Sequence, residues 1–408
     1  MPAFTFPGQG SQRPGMGRPW IDHPSWELVR EASETAGRDV AHLLLDADAA
    51  ELTETRNAQL ATFTLSLVVL DAIERLGIGP TACAGHSLGE YSALVAAGAL
   101  NFEDGVAVVT ERGDAMQSAA DLRTGTMSAL LGLDDETADV ACRRADGDVW
   151  VANYNAPGQV VIAGEPDAVA RAGRTAKDLG AKKVLAIAVG GAFHTPLMAP
   201  ARDRLRKALR EATFHDPEVP VVANVDALPH EAADEWRSLL SAQLCSPVRW
   251  RQSVLQLAGL AGEDPAEHAP DGERLFVEIG PGGVLSGLLR RIAPAGTAIS
   301  VSTPEDLEKL VAAVAGAGVR EARAAGHHGE QPDIAERLVI SPAAGVFEPA
   351  VAGDGATAEG EVLEVGDVLG EVAGQQVRSP FRGWLMGMLA HPGERLQPGQ
   401  PVAWLRAC

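Results

Sequence analysis

Cysteine is scarce in this chain: Cys83, Cys142, Cys245 and Cys408 are the only four in 408 residues, and no two have C-x-x-C spacing. That excludes a disulfide scaffold and a cysteine-rich zinc site. Cys83 and Cys142 lie in apolar surroundings and read as small core residues. No apolar run approaches the roughly 20 residues needed to span a bilayer. Met1-Pro2-Ala3-Phe4-Thr5-Phe6 lacks a basic stretch followed by an apolar one, so no secretory signal is expected. Positive charge is also short, with 34 Lys and Arg against 55 Asp and Glu and a net charge of −21. A nucleic-acid binder needs a basic footprint and is excluded. An anionic partner must find a local basic patch. Ten histidines are present, but His327-His328 has no cysteine nearby and reads as linker, not metal site. These absences predict a soluble cytoplasmic protein without a metal.

What is present is a large apolar fraction, 46%, enough for two to three domains. The most informative stretch is Gly85-His86-Ser87-Leu88-Gly89, a G-x-S-x-G pattern. Thr81–Ala84 ahead of it reads as a short buried strand, and Leu88–Leu100 behind it as an Ala-rich helix. A serine on such a strand-to-helix turn projects its hydroxyl beside the free amides of the helix start. That geometry suits acyl transfer through a serine ester.

Ala3–Phe6 reads as a strand running into Pro7-Gly8-Gln9-Gly10-Ser11-Gln12. Helical periodicity marks Ser25–Gly37, Asn57–Leu76 (Leu60, Phe63, Leu67 and Leu70 along one face) and Phe102–Ala119. From Thr124 the pattern becomes βαββαβ: Met127–Leu131, Asp134–Arg144, Val149–Asn155, Gln159–Gly164, Pro166–Leu179 and Lys183–Val189. That order predicts a ferredoxin-like insertion over about 124–190. A helix near Leu197–Ala212, strands at Val219–Asn224 and Leu275–Ile279, and a helix at Val284–Ile292 follow. Residues 317–336 read as a linker. Beyond it, Val339–Val346 is echoed by Val377–Trp384, and Glu364–Leu369 by Gln397–Val402, predicting a small pseudo-symmetric β barrel or sandwich. The expected architecture is therefore α/β. An α/β-hydrolase-like core with its insertion fills 1–316, and an all-β barrel fills 337–408.

A serine nucleophile needs a base, and the candidate is His194, on a loop where the chain leaves the insertion. At this point five motifs stand together: Phe6–Gln12, Gly85–Glu90, Arg112-Gly113 with Met116-Gln117, Ala192-Phe193-His194, and Gln243-Leu244 before Pro247-Val248-Arg249-Trp250. In order and spacing they resemble malonyl-CoA:acyl carrier protein transacylases and the related polyketide acyltransferases. The resemblance covers roughly residues 1–310.

The resemblance implies a role for each matched residue. Ser87 attacks the malonyl thioester, and His194 takes its proton and returns it to the leaving thiol. The backbone carbonyl of Gln243 orients the histidine in place of a carboxylate. The N–H groups of Leu88 and Gln9 form the oxyanion hole. Arg112 grips the free malonyl carboxylate with a fork that lysine lacks. Met116 belongs to the same substrate pocket, and Phe193 matches malonyl-selective members, methylmalonyl users having a smaller residue there. The implied partners are malonyl-CoA and an acidic acyl carrier protein. Arg290 and Arg291 are the candidate carrier patch, with Arg249 and Arg251 behind them.

Residues 337–406 resemble the barrels of biotinyl and lipoyl carrier domains, and still more the non-carrier barrels that end some zinc-dependent deacylases. Carrier domains need a lysine at a hairpin tip. The last lysine here is Lys309 and the matching hairpin is Ala373-Gly374-Gln375-Gln376, so neither biotin nor lipoate is expected. The barrel reads as a docking, self-association or stabilising appendage. Two competing functions are a hydrolase that clears stalled carriers and a scaffold with a vestigial enzyme. Arg112 argues against the first, since neutral acyl groups have no use for a buried guanidinium. The joint presence of Ser87, His194, Gln9 and Arg112 argues against the second.

Overall fold

The computed structural model describes residues 2–259, 274–324, 336–350, 361–364, 366–379 and 382–407. These form two compact units, Met1–Ala325 and Gly326–Cys408. In the first, the described strands are, in chain order, β1 (Ala3–Phe6), β2 (Ala82–Gly85), β3 (Thr126–Leu131), β4 (Val149–Ala156), β5 (Gln159–Gly164), β6 (Lys183–Ile187), β7 (Val221–Val222), β8 (Pro229–His230), β9 (Leu275–Ile279) and β10 (Thr297–Val301).

A six-stranded sheet of order β10-β9-β1-β2-β7-β8 forms the frame. All its pairs are parallel except β7–β8. The central strand β1 is buried along its whole length, as expected of a parallel strand covered on both faces. Phe4 and Phe6 pack into a core with Leu60, Phe63 and Leu67 of the helix Thr55–Glu74. The apolar periodicity of that helix suggests one buried face. In fact it is enclosed on nearly all sides, and Gln59, Thr62, Thr64 and Ser66 are buried with the apolar residues.

The Ser87 turn rests on glycines packed against backbone. A Cβ on Gly85 would lie 1.8 Å from the Gly89 carbonyl carbon, and one on Gly89 2.1 Å from the Phe6 carbonyl oxygen. The helix Gly89–Ala96 therefore starts directly on top of β1. A Cβ on Gly8 would reach the His86 carbonyl oxygen at 2.4 Å, so the Pro7–Gln12 loop lies against the same turn. Further along the sheet, the buried Glu278 on β9 accepts from the N–H groups of Gly283 (3.2 Å), Leu285 (3.0 Å) and Ser286 (2.8 Å). This carboxylate satisfies the orphan amides at the start of the helix Val284–Ile292.

The inserted sheet has order β4-β5-β3-β6 with antiparallel neighbours. Helices Asp135–Arg144 and Pro166–Asp178 share a core with it, through Leu130, Ile162, Ala138 and Ala172. Asp134 caps the first of them by accepting from Thr137 N–H at 2.7 Å. The insertion is stitched to the frame. Tyr154 N–H donates to the Val248 carbonyl, and Val248 N–H to that of Ala152, both at 2.9 Å.

Three sequence expectations change. The strand expected over Val219–Asn224 is reduced to Val221–Val222, because Asn224 turns inward to the site. Residues 317–324, expected as linker, complete a helix Glu305–Ala324. Its Ala-rich run with Glu and Arg favours helix and outweighs the glycines. Glu336, also expected as linker, opens a strand, while 325–335, including His327-His328, lie outside the described residues. The strand Thr297–Val301 and the short helices Val40–Leu45 and Ala49–Thr53 had no counterpart in the sequence reading.

Among its described residues, the second unit holds two four-stranded sheets around Val339, Phe347, Leu385, Val402 and Leu405. Its hairpin Val368–Val372 to Gln375–Arg378 turns on Ala373 (φ 51) and Gly374 (φ 79) alone. Positive φ at both turn residues is the geometry of a tight two-residue hairpin. Gln375 and Gln376, expected at the tip, belong to the strand.

Gly89→Ala should destabilise the first unit by more than the roughly 1–3 kcal/mol typical of overpacking, because backbone and not a flexible side chain must move. The denaturant midpoint of the variant measures this, and an unchanged midpoint would refute the close approach to Phe6.

Candidate active site

Ser87 sits between β2 and the helix Gly89–Ala96 with φ 54, a left-handed backbone that non-glycine residues adopt rarely. This conformation presents Oγ to His194, whose Nε2 lies 2.8 Å away. His194 also has positive φ, 59. Its Nδ1–H donates to the Gln243 carbonyl at 2.9 Å, which fixes the tautomer with Nε2 as the acceptor for the serine proton. No carboxylate is among its hydrogen-bond partners. Burial, the Arg112 charge and His86 hold the His194 pKa down to about 3. The imidazole is therefore neutral, as a base must be, throughout the ordinary pH range.

Arg112 projects from the helix Phe102–Leu122 and is 1% exposed. Its Nη1 donates to Gln59 Oε1 at 2.6 Å, and its Nη2 to Gln243 Oε1 at 2.8 Å and Ser87 Oγ at 3.1 Å. It also lies over the Tyr91 ring, 5.4 Å from the centroid, and its Nε is buried without a partner. A guanidinium in such a place is held by neutral oxygens instead of a carboxylate, and burial lowers its pKa. It has spare capacity for an anion beside the nucleophile.

The structure thus brings Ser87, His194, Gln243 and Arg112 together. Gln9 is half-buried and Leu88 buried, and the backbone N–H of neither finds an acceptor among the described residues. Phe193, buried beside His194, joins the main core. Met116 is buried one helical turn from Arg112, and its sulfur accepts from Gln59 Nε2 at 3.1 Å, beside the residue that holds Arg112. The four outlying arginines differ from one another. Arg291 donates to the Pro157 carbonyl at 2.7 Å and to Gln159. Arg251 pairs with Asp135 at 2.8 Å, and Arg249 donates to the Val225 carbonyl at 3.0 Å. Arg290 is exposed on the last turn of its helix.

Four residues entered the site without a sequence assignment. Asn224 accepts from Ser87 N–H at 2.7 Å and donates to the Gly85 carbonyl at 2.7 Å, locking both sides of the turn. Glu90 is buried with a pKa pushed up to about 7 by desolvation. Its Oε1 accepts from Asn224 N–H and its Oε2 from Gln243 Nε2, both at 2.6 Å. Asn155 meets His86 Nε2 at 2.9 Å, and Gln59 holds Arg112. A polar residue inside an apolar helical run was the only signal for Gln59. Among the described residues, no group of His, Cys, Asp and Glu is arranged to hold a metal, and no helix is long and apolar enough to cross a membrane.

A serine, a neutral histidine and a buried guanidinium define a serine-ester acyl-transfer centre. The acyl transferase domain family matches residues 3–291. The chain is 42% identical over 315 residues to malonyl CoA-acyl carrier protein transacylase of Bacillus subtilis, covering 76% of this chain and 96% of that protein. It is 42% identical over 311 residues to the transacylase of the same name from Escherichia coli, covering 74% and 96%. The structure of an acyl carrier protein S-malonyltransferase from Vibrio cholerae superposes with a TM-score of 0.70 at 39% identity, covering 76% of this chain and 99% of that one. A malonyl-transacylase solved in complex with its type II polyketide acyl-carrier protein gives 0.69 at 39% identity, covering 75% and 97%. The chain belongs to the acyl transferase domain family, among the malonyl CoA-acyl carrier protein transacylases.

Asn224→Ala should leave two buried backbone groups, Ser87 N–H and the Gly85 carbonyl, without partners, at roughly 1–3 kcal/mol each. Acylation of Ser87, followed by intact mass, should slow at least tenfold in a protein that still folds. A wild-type rate would remove Asn224 from the site's support.

Proposed function

We propose that the enzyme acylates Ser87 from malonyl-CoA and passes the malonyl group to the phosphopantetheine thiol of an acyl carrier protein, in fatty-acid or polyketide synthesis. Ser87 Oγ attacks the thioester carbonyl while His194 Nε2 takes its proton. The oxyanion is met by the N–H groups of Leu88 and Gln9. Collapse expels coenzyme A as the thiol, protonated by His194. The carrier thiol then gives its proton to the same nitrogen and attacks the ester, and Ser87 regains a proton as it leaves. Gln243 O holds the imidazolium through each half-reaction. Arg112 pairs with the malonyl carboxylate, and its burial beside Oγ without a carboxylate partner is the observation that carries this reading. The hydrolase alternative is not favoured. Phe193, packed next to His194, supports malonyl over bulkier branched extender units.

The parallel frame with a serine on the turn after β2 supports an α/β-hydrolase-like description of the core, and the order β4-β5-β3-β6 a ferredoxin-like one for the insertion. For carrier docking, Arg290 and Arg291 are the candidate cations, both exposed, with Arg291 also donating to the β4–β5 turn. We take the second unit to be an accessory module without biotin or lipoate, in keeping with the absence of lysine after Lys309. A cytoplasmic location suits these substrates.

Ser87→Ala should abolish acyl-enzyme formation, and Arg112→Ala should invert the preference. Losing a desolvated pair to the malonyl carboxylate costs about 2–5 kcal/mol, while acetyl transfer holds or rises. Intact-mass measurement with malonyl- and acetyl-CoA reads both, and persistent covalent malonyl on Ser87→Ala would overturn the nucleophile.

Truncation after Ala325 should leave malonyl self-acylation near normal, and biotin or lipoyl blots of the full chain should be blank. A folded truncate unable to form the ester would make the second unit part of the catalytic apparatus.

A further inference from the structure

Gln243 is the junction of the site. Its carbonyl holds His194 and its Oε1 takes Arg112 Nη2, while its Nε2 donates to the Ser87 carbonyl at 2.7 Å and to Glu90. An amide can face either way, and only one orientation serves Arg112. With Nε2 turned to Arg112, two donors would meet in a buried space, with neither satisfied.

Glu90 and the Ser87 carbonyl, the two acceptors of Nε2, decide which orientation is adopted, and Glu90 is the charged one. Both of its oxygens are used as acceptors, Oε1 by Asn224 N–H and Oε2 by Gln243. A group with two acceptor oxygens and no donor at this point forces the NH2 end of Gln243 toward it and the carbonyl end toward Arg112. We propose that the Glu90 carboxylate is a specificity-positioning residue: through the Gln243 amide it aims the Arg112 guanidinium at Ser87, and so sets the preference for a carboxylated acyl group. The proposal rests on the reading of Arg112 given above and assigns to Glu90 no contact with substrate.

The charged and titratable groups that act on Glu90 are Arg112 from the helix Phe102–Leu122, Asp226 from the loop after β7, and its neighbour Tyr91. Arg112 favours the carboxylate and Asp226 opposes it. Burial outweighs both and places its proton equilibrium near neutrality. A carboxyl whose pKa is raised to about 7 is ionised above that pH and neutral below it. As pH falls through neutrality, Glu90 gains a proton and its charge-assisted hold on the Gln243 NH2 weakens, which loosens the orientation of the amide toward Arg112. His194 stays neutral over the same range, so the base does not titrate alongside it.

The test is self-acylation of the full-length protein by malonyl-CoA and by acetyl-CoA, with kcat/KM for each across about pH 6–8.5. In the wild type the malonyl-to-acetyl ratio should fall about tenfold from the alkaline to the acid end, mainly through malonyl KM. In Glu90→Gln, one acceptor is replaced by an NH2 that faces Gln243. The ratio should be about tenfold lower and no longer vary with pH. Equal loss of both acyl rates, with the ratio intact, would make Glu90 merely structural and overturn the proposal. A wild-type ratio flat in pH would overturn it even if the variant fails to fold. Absence of any malonyl preference at every pH would instead refute the role of Arg112 itself, which separates the two readings.

Discussion

A positive charge without a negative partner, sealed beside a nucleophile, is the constraint on which this active site turns. Arg112 cannot shed its proton under ordinary conditions, and it is almost wholly buried. It is tolerated because Gln59, Gln243 and Ser87 supply oxygens, the Tyr91 ring supplies a polarizable face, and Glu90 supplies charge at one remove. Each neighbour has a second duty. Gln243 orients the base, Ser87 is the nucleophile, and Glu90 secures Asn224 and with it the turn at Gly85. The same bonds that make the cation bearable also assemble the catalytic groups.

Charge in the site is correspondingly uneven. His194 is kept neutral by burial and by the neighbouring guanidinium, so no carboxylate is required to tune it and a carbonyl suffices for orientation. A carboxylate on Nδ1 would raise the imidazole's basicity but also pair with Arg112, leaving no vacancy for the acyl group's own anion. Orientation by a backbone oxygen is thus coupled to specificity for a charged acyl chain.

The residues whose chemistry is local were legible in the sequence. Gly85 and Gly89 announce a turn that only glycine permits, with Ser87 between them. The βαββαβ order of the insertion could be read from alternating strand and helix periods, and the malonyl chemistry from motifs matching a family. Residues whose role is relational were not legible. Asn224 looks like the end of a strand, and Glu90 looks like an acidic residue in the first turn of a helix. Gln59 interrupts an apolar pattern with no partner in view. Their importance arises from contacts across more than 130 positions for Asn224 with Glu90 and 53 for Gln59 with Arg112, and periodicity carries no information on such pairs. The bonds of Arg291 to Pro157 and Gln159, and of Arg251 to Asp135, were equally illegible, since they too join distant stretches of chain.

The insertion is fastened to the frame at several points on one strand and its turn. Asn155 meets His86, β4 exchanges hydrogen bonds with Val248, and Arg291 grasps Pro157 and Gln159. The first of these touches the residue next to Ser87. An insertion anchored there is tied to the nucleophile's own turn, so displacing β4 would pull on His86. The stiffness of that turn is thus shared with the insertion, and it is a property of the resting enzyme, present before any ligand arrives.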